Sequence, residues 1–153
     1  MEGGCTCRQV RYRLVGRPLI IHACRQRETG TAHALNALYE ADRVAHIAGE
    51  PEIVVTPSAS GKGQRIARCP TCRIAVWSNY AQAGPAVRFV RVGTMDNPDL
   101  CPPDIHIFTF SKQPWLTLSP SAKAVPEFYD LGAVWPVESL ERVRAMRAKA
   151  KQP

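Results

Sequence analysis

Four cysteines in two close pairs constrain this chain more than any other feature: Cys5 and Cys7 near the start, Cys69 and Cys72 far along it. A Cys-x-Cys brought to a distant Cys-x-x-Cys supplies four thiolates, the number a tetrahedral structural zinc takes when no position is left for water. The binding free energy of such a metal is folding free energy, because the unfolded chain holds no preformed site. Two disulfides, or burial as small apolar side chains, are the other readings of these four residues. Two short-spaced pairs match metal-ligand spacing better than they match a secreted disulfide framework. A metal here would pin the entry of one strand to the turn of a hairpin and close the long loop between them. Four saturated thiolates leave no open position for a substrate, so the role is that of a scaffold.

The chain has 153 residues, of which 45% are hydrophobic and 22% charged. That is one domain's worth of sequence with enough apolar surface to fold. No apolar run approaches a membrane span, and Met1-Glu2-Gly3-Gly4-Cys5 lacks the basic-then-apolar order of a signal peptide. The expected location is the cytoplasm, where thiols stay reduced, and no membrane partner is expected. The formal charge of +7 falls to about +5 once four thiolates and a zinc dication are counted. Arg8, Arg68 and Arg73 each adjoin a proposed ligand, where a guanidinium can offset negative charge and donate to sulfur. The basic residues are otherwise scattered, apart from the segment 142–151. Nucleic acid, which calls for a dense basic stripe with interleaved aromatics, is therefore not the expected partner.

Thirteen prolines and 10 glycines cut the chain into short segments that favour strands. Val10, Tyr12 and Leu14 alternate with Arg11 and Arg13, the pattern of a half-buried strand. The runs 53–55, 74–77, 87–92 and 105–110 are β-branched or aromatic and bounded by turn residues. Residues 32–48 suit a helix by composition and a strand by position. The clear helix is terminal: Pro136 opens it, and Leu140, Val143 and Met146 mark a stripe among basic residues. The spacing predicts a mainly β domain over residues 3–135 and a basic helical tail over 136–153.

Gly3-Gly4-Cys5-Thr6-Cys7, Val10-Arg11-Tyr12, Cys69-Pro70-Thr71-Cys72, Gly93-Thr94-Met95-Asp96-Asn97-Pro98, His106-Ile107 and Gln113-Pro114-Trp115-Leu116 occur in that order. Together they resemble the glutathione-dependent formaldehyde-activating enzyme family, which includes centromere protein V. The resemblance implies a β-tent fold with a structural zinc on Cys5, Cys7, Cys69 and Cys72, and it turns residues 32–48 toward strand. It also implies a carbon-sulfur lyase reaction read in reverse, condensing formaldehyde with glutathione to S-hydroxymethylglutathione. In the family a second zinc sits on a Cys-x-Cys-x-x-Cys motif, where an open position stabilises the substrate thiolate beside an electrophilic carbon.

This chain departs from that motif. Counting forward from Cys24, the other two ligand positions hold Gln26 and Thr29, and neither supplies a thiolate. An alternative alignment sets residues 26–30 against the segment after the third cysteine. In both, one cysteine survives and the second zinc site is degenerate. His22 and Cys24, with Cys101 or His106 if the fold brings them close, are the remaining candidate donors; a buried small residue or free thiol is the simpler reading of Cys24. The candidate catalytic residues are Cys24 and His106, and the candidate ligand-binding residues are His22, Gln26, Thr29 and Trp77. His106 could equally be a satisfied strand histidine and Trp77 a core ring. Asp96 lies in a Met-Asp-Asn-Pro turn that turn chemistry alone explains. The glycine-serine segment 58–63 is a strand connection with weak anion-cradle character.

Two functions follow. One is an enzyme acting on glutathione or a small thiol adduct. The other is a non-catalytic module whose zinc holds the fold and whose partner is a thiol compound, a protein or nucleic acid.

Overall fold

The computed structural model describes residues 1–25, 31–58, 61–118, 120 and 122–149. In chain order its strands are β1 (Glu2–Gly4), β2 (Arg11–Leu14), β3 (Ile20–Cys24), β4 (Ala34–Glu40), β5 (Val44–Ala48), β6 (Glu52–Thr56), β7 (Gln64–Arg68), β8 (Ala75–Tyr80), β9 (Val87–Arg91), β10 (Ile105–Ile107) and β11 (Lys123–Ala124). Helices α1 (Leu131–Val134) and α2 (Val137–Lys149) follow. The strands form a three-stranded sheet, β1-β2-β5, and an eight-stranded one, β11-β10-β3-β4-β9-β8-β7-β6. Both are antiparallel except where β10 runs parallel to β3 and β11. The fold is mainly β with a C-terminal helix, as expected.

The middle of the large sheet, β3, β4 and β9, is buried on both faces. One face packs, with β2 of the small sheet, around Tyr12, Leu14, Ile21, Tyr39, Trp77 and Val90. The other packs Ile20, Leu38, Val87, Ile105 and Ile107 against Trp135 and the helical stripe Leu140, Val143 and Met146. Successive side chains of a strand point to opposite faces, so β3 must be apolar on both sides and reads as the unbroken run Ile20-Ile21 rather than as an alternation. Strand β2 faces a core on one side only, and its alternation is clean: Tyr12 and Leu14 are buried and Arg13 exposed. Residues 32–48 are two strands, β4 and β5, joined by one 3-10 turn.

The segment 105–110 is a strand only to Ile107. Phe108 takes a left-handed conformation at φ 55° and opens a 3-10 turn over Thr109–Ser111. Its N–H donates to Glu127 O at 3.0 Å, which carries the chain away from the sheet.

Helix α2 is tied down by polar groups as well as by its stripe. Ser139 Oγ donates to Leu19 O at 2.7 Å. Arg142 lays a two-pronged fork on Glu40, Nε to Oε1 at 2.8 Å and Nη2 to Oε2 at 2.6 Å. Both side chains are largely buried, so neither charge could be left there alone.

Candidate metal centre

The centre is built by two turns of like construction. Gly3 and Gly4 lead into the first: a Cβ on Gly3 would lie 2.5 Å from the Tyr12 hydroxyl, and one on Gly4 2.3 Å from Val10 O. Only glycine lets β1 approach β2 this closely, and that approach delivers Cys5. Cys5 N then donates to Val10 O at 3.0 Å, Arg8 N to Cys5 O at 2.9 Å, and Val10 N to Cys5 Sγ at 3.3 Å. In the second turn, between β7 and β8, Cys69 N donates to Ile74 O at 2.9 Å and Arg73 N to Cys69 O at 3.0 Å. In each turn the residue after the second cysteine is an arginine in the left-handed region, Arg8 at φ 62° and Arg73 at φ 61°. A non-glycine residue there costs about 1 kcal/mol, which the turn hydrogen bonds offset.

The four Sγ atoms lie within 4.8 Å of one another. Cys5 and Cys7 are 3.4 Å apart and Cys7 and Cys69 3.6 Å, too far for disulfides, and none of the six cysteines is bonded to another. A tetrahedral ion with metal-sulfur bonds of about 2.3 Å needs sulfurs about 3.8 Å apart, so the set fits one metal ion. Cys5 and Cys69 are buried in the core, while Cys7 is exposed and Cys72 half-buried, which puts the centre at the rim. Backbone N–H groups of Cys7 and Ile74 pull the Cys72 thiol down to about 6. The backbone N–H of Gln9 lowers Cys7, but Cys5, desolvation and the other two sulfurs outweigh it and hold that thiol up at about 12. Crowded thiols ionise unevenly in this way, and a coordinated dication removes the difference by ionising its ligands outright.

The arginines beside the cysteines work differently from expectation. Arg68 Nη1 donates to Arg73 O at 3.0 Å, and Arg73 pairs with Glu52; among the described contacts neither donates to sulfur. Sequence reading missed instead the frame around the centre. Arg11 forks onto Asp96, with Nη1 to Oδ1 at 2.7 Å and Nη2 to Oδ2 at 2.5 Å. Tyr12 OH donates to Thr94 Oγ1 at 2.7 Å, which itself donates to Arg91 O. The Val-Arg-Tyr and Gly-Thr-Met-Asp segments are thus two halves of one contact. Both segments were among those that carry the family resemblance, and turn chemistry at Asp96 masked their contact.

The other candidates separate. Gln26 and Thr29 lie outside the described residues, as do Ala59 and Ser60 of the 58–63 segment. His22 and Cys24 share one face of β3, with Asn36 opposite His22 on β4. His106 pairs with Ala23, so it points to the other face. Cys101 is buried in the first core with its thiol 3.6 Å from Met95 Sδ. Trp77 is buried edge-on to Tyr12, ring centroids 6.0 Å apart, with the Arg88 guanidinium 4.7 Å over its ring. Among the described residues the four cysteines are the group of three or more His, Cys, Asp or Glu side chains able to share an ion.

His22 is nevertheless held with care. Trp135 Nε1 donates to the Tyr129 hydroxyl at 2.8 Å, and that hydroxyl is hydrogen-bonded to His22 Nε2. With its oxygen accepting from the indole, Tyr129 gives its proton toward Nε2, which leaves the imidazole hydrogen on Nδ1. Burial lowers the His22 pKa to about 4, so the ring is neutral at physiological pH.

None of the curated proteins compared with the chain matches it. Among solved structures, a structural-genomics crystal structure of a Rhodobacter sphaeroides protein is similar, with a TM-score of 0.51 and 20% identity, covering 67% of this chain and 97% of that one. At that identity the likeness concerns the fold. The profile of the family described as "Glutathione-dependent formaldehyde-activating enzyme" matches residues 1–111, which takes in both cysteine pairs, the Arg11–Asp96 frame and β10. With its motifs brought together around one four-sulfur centre, this chain belongs to the glutathione-dependent formaldehyde-activating enzyme family.

Proposed function

We propose that the metal is a single structural zinc and that the protein handles glutathione or a related small thiol adduct in the cytoplasm, with carbon-sulfur lyase chemistry as the reaction class the family suggests. The observation that carries this reading is the pairing of an intact four-cysteine cluster with a family match spanning it. Bound zinc would supply crosslinking of the two turns and charge neutralisation of four thiolates, and no substrate activation. Cys24 and His22, side by side on β3, are the groups we assign to the adduct: Cys24 as the thiol and His22 as a fixed Nδ1–H donor. Tyr129 and Trp135 hold that tautomer and keep water from Nε2.

The family reaction adds the glutathione sulfur to the carbonyl carbon of formaldehyde, the thiol proton ending on the new hydroxyl. An open zinc needs three protein ligands. Cys24 with Gln26 and Thr29 in the ligand positions offers one thiolate, so we do not assign that condensation to this chain. The same observation favours the second reading, a zinc-stabilised module that binds a thiol compound without turning it over.

Metal analysis and carbon-13 exchange NMR of formaldehyde and glutathione test these assignments. One zinc per chain and an exchange rate equal to that without protein are expected. Two zincs, with an acceleration that vanishes in Cys24→Ala, would restore the full enzyme.

A further inference from the structure

The arginines in or near the interior are treated differently, and Arg142, Arg91 and Arg25 show the range. Arg142 has a carboxylate, Glu40. Arg91 donates to two neutral oxygens, Asn36 Oδ1 at 2.7 Å and Ser78 Oγ at 3.2 Å. Arg25, only 4% exposed, has neither arrangement. Its Nη1 donates to His33 Nδ1 at 2.9 Å and reaches Ala32 O at 3.4 Å, and its Nη2 donates to His106 Nδ1 at 2.9 Å. Its Nε–H is buried with no acceptor, and among the described residues no carboxylate pairs with it.

Chemistry fixes what such a cluster can bind. Guanidinium has donors only, and a histidine that accepts at Nδ1 carries its hydrogen on Nε2 and is neutral. A buried cation beside two imidazoles also keeps both from protonating: desolvation first, then the Arg25 charge, lowers the pKa of His33 and of His106. The cluster therefore offers a permanent positive charge and further N–H donors and, among the described residues, no carboxylate that pairs with them. A buried ion without a counter-charge and a buried donor without an acceptor are both unfavourable, and one species relieves both.

The backbone shows that the arrangement is braced. Arg25 N donates to Ile107 O at 3.0 Å, and Ser111 Oγ to Arg25 O at 3.2 Å, which fixes the residue across the ends of β3 and β10. Among the described residues that bond to it, Ala32 and His33 are themselves half-exposed. We propose that Arg25, with His33 and His106, forms a binding site for a small oxyanion, its planar fork suited to a carboxylate carried by a small-molecule ligand. A planar carboxylate can take the Nε–H and an Nη hydrogen together, which a lysine in the same place could not offer. The site stands independently of whether the protein acts on a thiol.

The Arg25 Nε–H resonance, followed by nitrogen-15 NMR on the zinc-loaded full chain, reads the orphan donor directly. Titration with acetate should shift it in a saturable way and raise the melting temperature beyond matched sodium chloride. Inorganic phosphate in a parallel titration separates carboxylate from phosphate sources. Arg25→Lys should weaken acetate binding at least tenfold while leaving zinc content at the wild-type value. An Nε–H signal that does not move, or moves equally with chloride, would overturn the proposal. So would acetate binding that appears only in Glu28→Gln, because the chain's own carboxylate would then be the counter-ion. If Arg25→Lys does not fold, the wild-type Nε–H titration decides alone.

Discussion

The two faces of the large sheet are closed by different means. On the first, the small sheet is drawn in by two local turns whose sulfurs converge on one point. On the second, α2 and the segment before it are held by polar pairs between residues far apart in sequence: Ser139 with Leu19, Arg142 with Glu40, Tyr129 with His22. The first closure gathers four thiols that fit a cation the chain would have to acquire, while the second rests on buried groups that satisfy one another. A chelator should therefore act on one face and acid more selectively on the other.

The largest effect is expected at the first face. Cys69→Ser leaves three sulfurs around a fully buried position and forfeits much of the ~10 kcal/mol or more that a structural zinc contributes to folding. Loss of bound zinc and of the cooperative thermal transition, measured together, is the expected outcome. A variant that kept its metal and melted like the wild type would show that the closure of this face does not rest on Cys69.

At the second face Arg142→Ala leaves the buried Glu40 carboxylate with only the more distant Arg43, 3.5 Å away, and should cost about 3 kcal/mol. Chemical denaturation is expected to show that loss with zinc content unchanged. If zinc were lost as well, the two faces would be coupled rather than independent.

His22 sharpens the contrast through pH. Its folded pKa of about 4 lies below the unfolded value of 6.5. The unfolded chain therefore binds a proton first as pH falls, and stability present above 6.5 is lost on the way down to about 4, on the order of 3 kcal/mol in all. Stability measured between pH 7 and 5 should fall less steeply in His22→Gln than in the wild type. Equal slopes would mean that the imidazole is not buried neutral.

The smallest effect belongs to the exposed frame of the metal face. Asp96→Asn removes the Arg11 fork at a solvent-exposed carboxylate, and about 0.5 kcal/mol is expected, shrinking in high salt. A loss of several kcal/mol would mean that the fork, and not the metal, sets the angle at which β1 meets β2.

The first face was far more legible in the sequence than the second. Its cysteines announce themselves by spacing, and Val10, Tyr12 and Leu14 alternate because β2 has one wet side. Strand β3 was not named as a strand beforehand because burial on both faces erases the period that marks one. Leu140, Val143 and Met146 were visible as a stripe, but nothing in a stripe says which surface it meets. Arg25 and His33 carried no pattern at all, since their relation exists only once β3, β4 and β10 lie side by side. The end of β10 was misjudged for a local reason: Phe108 suits a strand by composition, yet its backbone is left-handed and its N–H turns to Glu127 O.

The separation of the two cysteine pairs bears on how the protein is made. Cys5 and Cys7 leave the ribosome early, yet the cluster cannot close until Cys72 has cleared the exit tunnel. Until then two thiols and a short apolar strand are presented to the cell. A domain that folds during synthesis assembles in the order its parts emerge, so the four-cysteine face can close before Trp135 and α2 have emerged. The nascent protein would pass through a half-built stage with a finished four-cysteine knot and an open apolar sheet face, and that face is where chaperone engagement during translation should be sought.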